Sequence, residues 1–131
     1  ALSAGDIDAS VIAYQNALKI TPGSPQISVS LGRALIAGGT NEQLSLAITV
    51  LEQASAAEPD WAFAKRQLAI AYGRSGIIGI ADMLLAEEAV LLGKTDQALK
   101  LARRALTQSN LPQNAQARAQ DIIFQVENGV R

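Results

Sequence analysis

An all-α fold of antiparallel helix pairs stacked into a solenoid, about seven helices in all, is what this sequence predicts. Three observations carry that expectation. Apolar residues make up 49% of the chain and aromatic ones only 4%. A core built of Ala, Leu and Ile favours closely packed helices over a sheet, which would draw on more Val, Thr and aromatics. Apolar residues also recur at spacings of three and four, and Pro or Gly turns separate the segments that carry them. Finally, small residues recur on the inward stripes, with Ala47 and Ala54 flanking Leu51 and then Ala98, Ala102 and Ala105 in a row. Helices that must approach closely need such stripes.

The elements follow in order. Residues 6–20 read as a first helix, with Ile7, Val11, Tyr14 and Leu18 on one stripe and Gly5-Asp6 as the turn before it. Pro22-Gly23-Ser24-Pro25 is a turn in which Ser24 caps the next helix and Pro25 takes its first position. That second helix, about 25–37, turns Ile27, Leu31, Ala34 and Leu35 inward and sets Gly32 where neighbours meet. It ends at Gly38-Gly39-Thr40-Asn41.

The third helix turns Ala47, Leu51 and Ala54 inward and stops at Pro59, whose ring removes a donor and restricts Glu58. Asp60 is expected to cap the fourth, with Ala64, Leu68, Ala71 and Tyr72 inside. The fifth helix, about 78–92, is apolar almost all round and should be the most buried element, with Leu85 at a large inward position. Gly93 stops it, Thr95 caps the sixth helix, and Asp96 sits at the positive end of that helix. After Leu111-Pro112 a seventh helix runs to about Glu127 on the face Ala115, Ala119, Ile122, Ile123 and Val126, and residues 128–131 are expected to fray.

Across Leu46 to Tyr72 the run LAITVLEQASAAEPDWAFAKRQLAIAY places Ala, a large apolar residue, Ala and Pro in one unit, then Leu-Ala and Tyr in the next. This order resembles the tetratricopeptide repeat. The resemblance implies one tetratricopeptide (TPR)-like domain over 1–131, wound as a right-handed superhelix. Its parts would be a half repeat at 1–22, a repeat with a loop insertion at 23–59, a helix pair at 60–93 and a final pair with a capping helix at 94–131. The insertion is expected because Gly32 to Ala47 spans more residues than the usual repeat allows.

The stretches RQLAIAYGRSG, LLAEEAVLLGKTDQALKLARRAL and RAQDI are similar to the C-terminal repeat region of bacterial M48-family zinc metalloproteases, over roughly residues 30–124. In place of the Gly-Ser-Pro turn and Trp expected before RAQDI, the chain reads NLPQNAQA. That similarity implies a protein or peptide partner, including the parent protease domain, and a periplasmic or cell-envelope location. The family's HExxH zinc helix has no counterpart here, because the chain contains no histidine.

The repeat resemblance also implies a groove. The first helix of each pair lines the concave face, which puts Gln26, Arg33, Phe63, Arg66, Ile70 and Arg74 there and Val50, Arg103 and Arg104 on outer helices. Three arginines beside an aromatic and an isoleucine suit a carboxylate-bearing segment with an apolar anchor, since the guanidinium fork matches carboxylate geometry. The same arginines can equally be solvated.

Composition narrows the remaining classes. A net charge of −1 provides no field to recruit nucleic acid or an anionic membrane. Lys65-Arg66 and Arg103-Arg104 are isolated basic pairs without interleaved aromatics. The absence of His and Cys removes the commonest general base, thiolate nucleophiles and the commonest metal ligands, and no cofactor motif is present. The apolar run 76–92 is interrupted by Asp82, Glu87 and Glu88, so direct membrane insertion is not expected. Those carboxylates are expected to form a solvated edge, and Arg118 to pair locally with Asp121. Trp61 either packs across its turn or anchors a partner.

The chain starts at Ala1 without Met and reads as a piece of something longer, so a missing leader excludes nothing. The function expected is a non-catalytic protein-binding module. The alternative is an assembly scaffold of the kind found in cytochrome c maturation.

Overall fold

Local side chains start the helices in the first half of the chain. The computed structural model describes residues 3–129. α1 (Ala4–Ile20) begins at Ser3, whose hydroxyl accepts from the Asp6 N–H at 3.2 Å while the Asp6 carboxylate accepts from the Ser3 N–H at 3.3 Å. This reciprocal pair draws Gly5-Asp6 into the helix, where the sequence suggested a turn. α2 (Pro25–Gly38) starts as expected, with the Ser24 hydroxyl accepting from the Ile27 N–H at 3.3 Å and Pro25 inside the first turn. α3 (Asn41–Ala57) has a second reciprocal box, between Thr40 and Gln43. Only Gly39 and Thr40 separate α2 from α3, so the residues taken for a loop insertion lie within helices.

The second half is started differently. α4 (Ala62–Arg74), α5 (Ile78–Leu91), α6 (Thr95–Leu106) and α7 (Gln113–Glu127) have no side-chain cap at their N-termini. Asp60 does not cap α4, because the Trp61 N–H closes a turn onto the Glu58 carbonyl at 3.1 Å and Trp61 itself becomes the flanking residue. Thr95 is likewise the first residue of α6 rather than its cap. The end of α5 explains the shift. Gly93 takes φ 75°, its N–H donates to Val90, and the Lys94 N–H reaches back to the Ala89 carbonyl at 2.8 Å. This turn satisfies the last carbonyls of α5 and leaves Lys94 outside α6. At the end of α7, Asn128 donates to the Phe124 carbonyl from both its backbone and its side chain, and Gly129 turns the chain. Residues 130–131 of the expected frayed tail, and residues 1–2 of the half repeat, lie outside the described residues.

Consecutive helices pack on one another, and beyond them α2 touches α4 and α5 touches α7. α3–α5 and α4–α6 do not pack directly. Small residues set the close approaches. Ala47, Ala64, Ala71, Ala86, Ala98, Ala102, Ala105 and Ala119 are fully enclosed. A Cβ on Gly32 would fall 2.5 Å from the Leu51 Cγ, so α2 and α3 meet at their present distance only with Gly there. The largest fully buried side chains are Leu31, Leu35, Leu51, Leu68, Met83 and Leu84. As expected, α5 carries the most buried residues of any helix, and α1 carries none. Within α5, however, Leu85 is only half-buried and Leu84 is 1% exposed, because the face bearing Leu85 looks between α4 and α6 where nothing fills the gap.

Leu84→Ala is expected to cost about 2–5 kcal/mol through lost transfer energy and a residual cavity. Leu85→Ala should cost less than half as much. Urea unfolding of both variants checks the ranking, and equal losses would contradict it.

Candidate peptide-binding groove

The three carboxylates of α5 form ion pairs with every helix packed on it. Glu87 accepts from the Lys65 Nζ of α4 at 3.2 Å and from the Arg118 Nε of α7 at 2.9 Å, with a second contact to the Arg118 Nη2. Glu88 accepts from the Arg66 Nε of α4 at 2.7 Å. Asp82 takes a two-pronged bond from Arg104 of α6, 2.8 Å to Nε and 2.7 Å to Nη2. Asp82 and Glu88 are buried and Glu87 is half-buried, with side-chain exposures of 4%, 9% and 18%. The expected solvated edge is therefore replaced by an internal one. α5 is covered on several sides, and a carboxylate in such a place persists only when charged partners reach it. The expected Arg118–Asp121 pair does not form, since Arg118 turns to Glu87 and Asp121 accepts from Gln125. No buried side-chain nitrogen or oxygen lacks a partner among the described residues.

A tyrosine hydroxyl joins the same region. Tyr72 of α4 donates to the Glu52 carboxylate of α3 at 3.1 Å. Burial first, and then the charge of Glu52 and this hydrogen bond, push the Tyr72 phenol up to about 12. The hydrogen bonds to Glu87 and Asp82 raise the guanidinium pKa values of Arg118 and Arg104.

The six residues assigned to the groove all lie on α2 and α4, which pack together, but they divide into separate roles. The Arg33 guanidinium stacks 5.4 Å over the Phe63 ring, and Phe63 lies 6.3 Å from Trp61. Arg74 donates weakly to the Ile36 carbonyl at 3.4 Å. Ile70 and Trp61 are half-buried against the core. Gln26 is exposed beside Glu58, Asp60 and Trp61. Arg66 leaves this set and faces a different recess.

That recess is the space that α4 and α6 leave between them. It has a volume of about 530 Å³ and is lined by Arg66, Leu85, Gln97, Lys100, Leu101 and Arg104. Leu85 of α5 lines it beneath, and α6 supplies four residues. The sequence held the signal for those four, because positions 97, 100, 101 and 104 fall on one helical stripe. The concave positions expected from the repeat lie on the second and fourth helices only, whereas Arg104, expected on an outer helix, lines this recess. Val50, expected on an outer helix, is a buried residue of α3. Arg103 does face solvent and pairs with Glu127 at 2.7 Å.

No group of three or more carboxylates is arranged to hold a metal ion among the described residues, and no described helix is long and apolar enough to cross a membrane. Comparisons with protein-family models, curated proteins and solved structures find no match to this chain.

Two expectations follow. Glu87→Ala strands Lys65 and Arg118 and should cost about 1–3 kcal/mol, discounted because Arg118 is partly exposed. Glu127→Ala, at an exposed pair, should cost below about 1 kcal/mol. Chemical unfolding compares the two, and equal costs would deny the buried pair its weight. Tyr72 supplies the pH dependence. A phenol raised from 10.0 to about 12 stabilises the fold fully below pH 10, and that contribution is lost as pH rises through 12. Ultraviolet titration should show a tyrosinate step near pH 12 that Tyr72→Phe removes.

Proposed function

We propose that this chain is a non-catalytic protein-binding module that receives a peptide segment of a partner in the recess between α4 and α6. The observation that carries the reading is the recess itself. Three cationic side chains rim an opening that also contains two leucines, on a scaffold of paired helices. Extended peptides bind such surfaces by combining charge complementarity with an apolar anchor. The Arg33–Phe63 stack on the neighbouring α2–α4 surface offers a second contact for a longer segment.

The resemblance of roughly residues 30–124 to the repeat region of M48-family zinc proteases supports a further step. On that reading the module serves a larger cell-envelope protease, and the recess takes a substrate segment or part of the protease domain. The gene should then encode an HExxH helix upstream of Ala1. A pair of membrane helices there instead would favour an assembly scaffold of the cytochrome c maturation type.

Selection of random peptides on the chain, followed by chemical-shift mapping of an isotope-labelled sample, tests the binding reading. Shifts at Arg66, Leu85, Lys100 and Leu101 are expected. Selected peptides that all map to α1, or a selection that yields no binder, would overturn it.

A further inference from the structure

The core leaves one side of the first helix uncovered. α1 touches only α2 among the described helices and has no buried residue. Val11 and Leu18 on its inner side lean against the core, and its outer side is open. That outer side is not built for water. Offsets of four place Asp8, Ile12, Asn16 and Ile20 on one row, with Ile12 58% and Ile20 84% exposed. Beside it runs a row of small residues, Gly5, Ala9, Ala13 and Ala17, all but Ala17 exposed.

The far end of the molecule is finished differently. α7 turns Gln113, Gln116, Gln120 and Glu127 to solvent, and Phe124 is its exposed large apolar residue. A helical stack with a polar last face and an apolar first face is capped at one end only.

We infer that the open end is an interface between two copies of this chain, which pair α1 against α1 in antiparallel orientation. Shape, charge and symmetry all point to a second copy. Each α1 carries both a ridge and the shallow row that receives one, so the isoleucines of each copy settle over the alanines of the other. Asp8 lies near the start of α1 and Lys19 in its last turn. Neither takes part in an ion pair among the described residues. An antiparallel pair sets Asp8 of each copy beside the turn of the other that carries Lys19. A parallel pair would set Asp8 against Asp8 and Lys19 against Lys19, and it would align the helix dipoles as well.

A two-fold contact covers both apolar faces at once and stops at two copies. Stacking α1 on α7 of the next copy would instead bury the amides of α7 against isoleucine and repeat without closing. A contact made by one pair of helices is small, so the dimer should form and dissociate with concentration.

Sedimentation of the chain from about 5 to 500 µM provides the test. The mass should rise toward twice the 13.7 kDa of one chain. Ile12→Asp places a charge in the apolar row at a position too exposed to support the fold. That variant should keep its helical circular dichroism and stay a single chain throughout. Asp8→Lys and Lys19→Glu test the orientation at low salt, and both positions are exposed. Each variant alone sets like charges together and should dimerise about tenfold more weakly. Mixing the two should recover the lost affinity, because every charge in the mixed pair then faces its opposite.

A single-chain mass at every concentration would overturn the inference, as would a dimer that survives Ile12→Asp. Masses that climb past two chains would give the open end to a repeating stack and overturn it as well. A mixture of the charge variants no tighter than either alone would rule out the antiparallel pairing.

Discussion

Glu87 sits between a lysine of α4 and an arginine of α7, and the second half of the molecule is arranged around that contact. α5 has no polar face to turn to water, yet it carries three carboxylates and no base. Burying a carboxylate alone would cost more than the helix gains from its leucines. The helices that cover α5 must therefore each bring a cation to it: Lys65 and Arg66 from α4, Arg104 from α6 and Arg118 from α7. Apolar packing alone would tolerate a helix sliding by a turn. Three carboxylates with fixed partners on three helices do not, because a slide leaves a buried charge unpaired.

The recess between α4 and α6 is a by-product of that arrangement. Both helices pack on α5 and neither packs on the other, so a gap opens above Leu85. The cations at its rim are the ones α5 has fixed. A free arginine on a helix surface samples many rotamers and loses that freedom when it binds. Arg66 and Arg104 have already lost part of theirs to Glu88 and Asp82, which lowers the entropic cost of meeting a ligand. Asp82 and Glu88 thus position the two arginines of the rim.

The all-helical architecture was legible because it depends on local signals. Ser24-Pro25 marked the start of α2, Gly93 the end of α5, and the Ala47, Leu51, Ala54 stripe the inward face of α3. The misplaced starts have a common cause. Asp60 and Thr95 are good capping residues one position away from the true flank, and backbone turns onto Glu58 and Ala89 decided where the flank falls. The fate of Asp82, Glu87 and Glu88 was hidden for another reason. Their partners lie 22 and 31 residues away along the chain, and no periodicity within a helix records a bond of that span. Local habit even pointed the wrong way for Arg118, which had Asp121 one turn along and chose Glu87. Most of the recess was in view as a stripe on the sixth helix. It went uncounted because nothing in one helix shows which neighbour is missing.

The uneven capping of the helices has a consequence in time. Bonds that start α1, α2 and α3 span three residues, so each of these helices can begin alone, with almost no chain to close. Nothing comparable awaits α4, α5, α6 and α7. Their cross-links close long loops and exist only once several helices have docked, which raises the average separation of the contacts that must form together. The first three helices carry their own start signals, whereas the starts of the last four lean on contacts between helices.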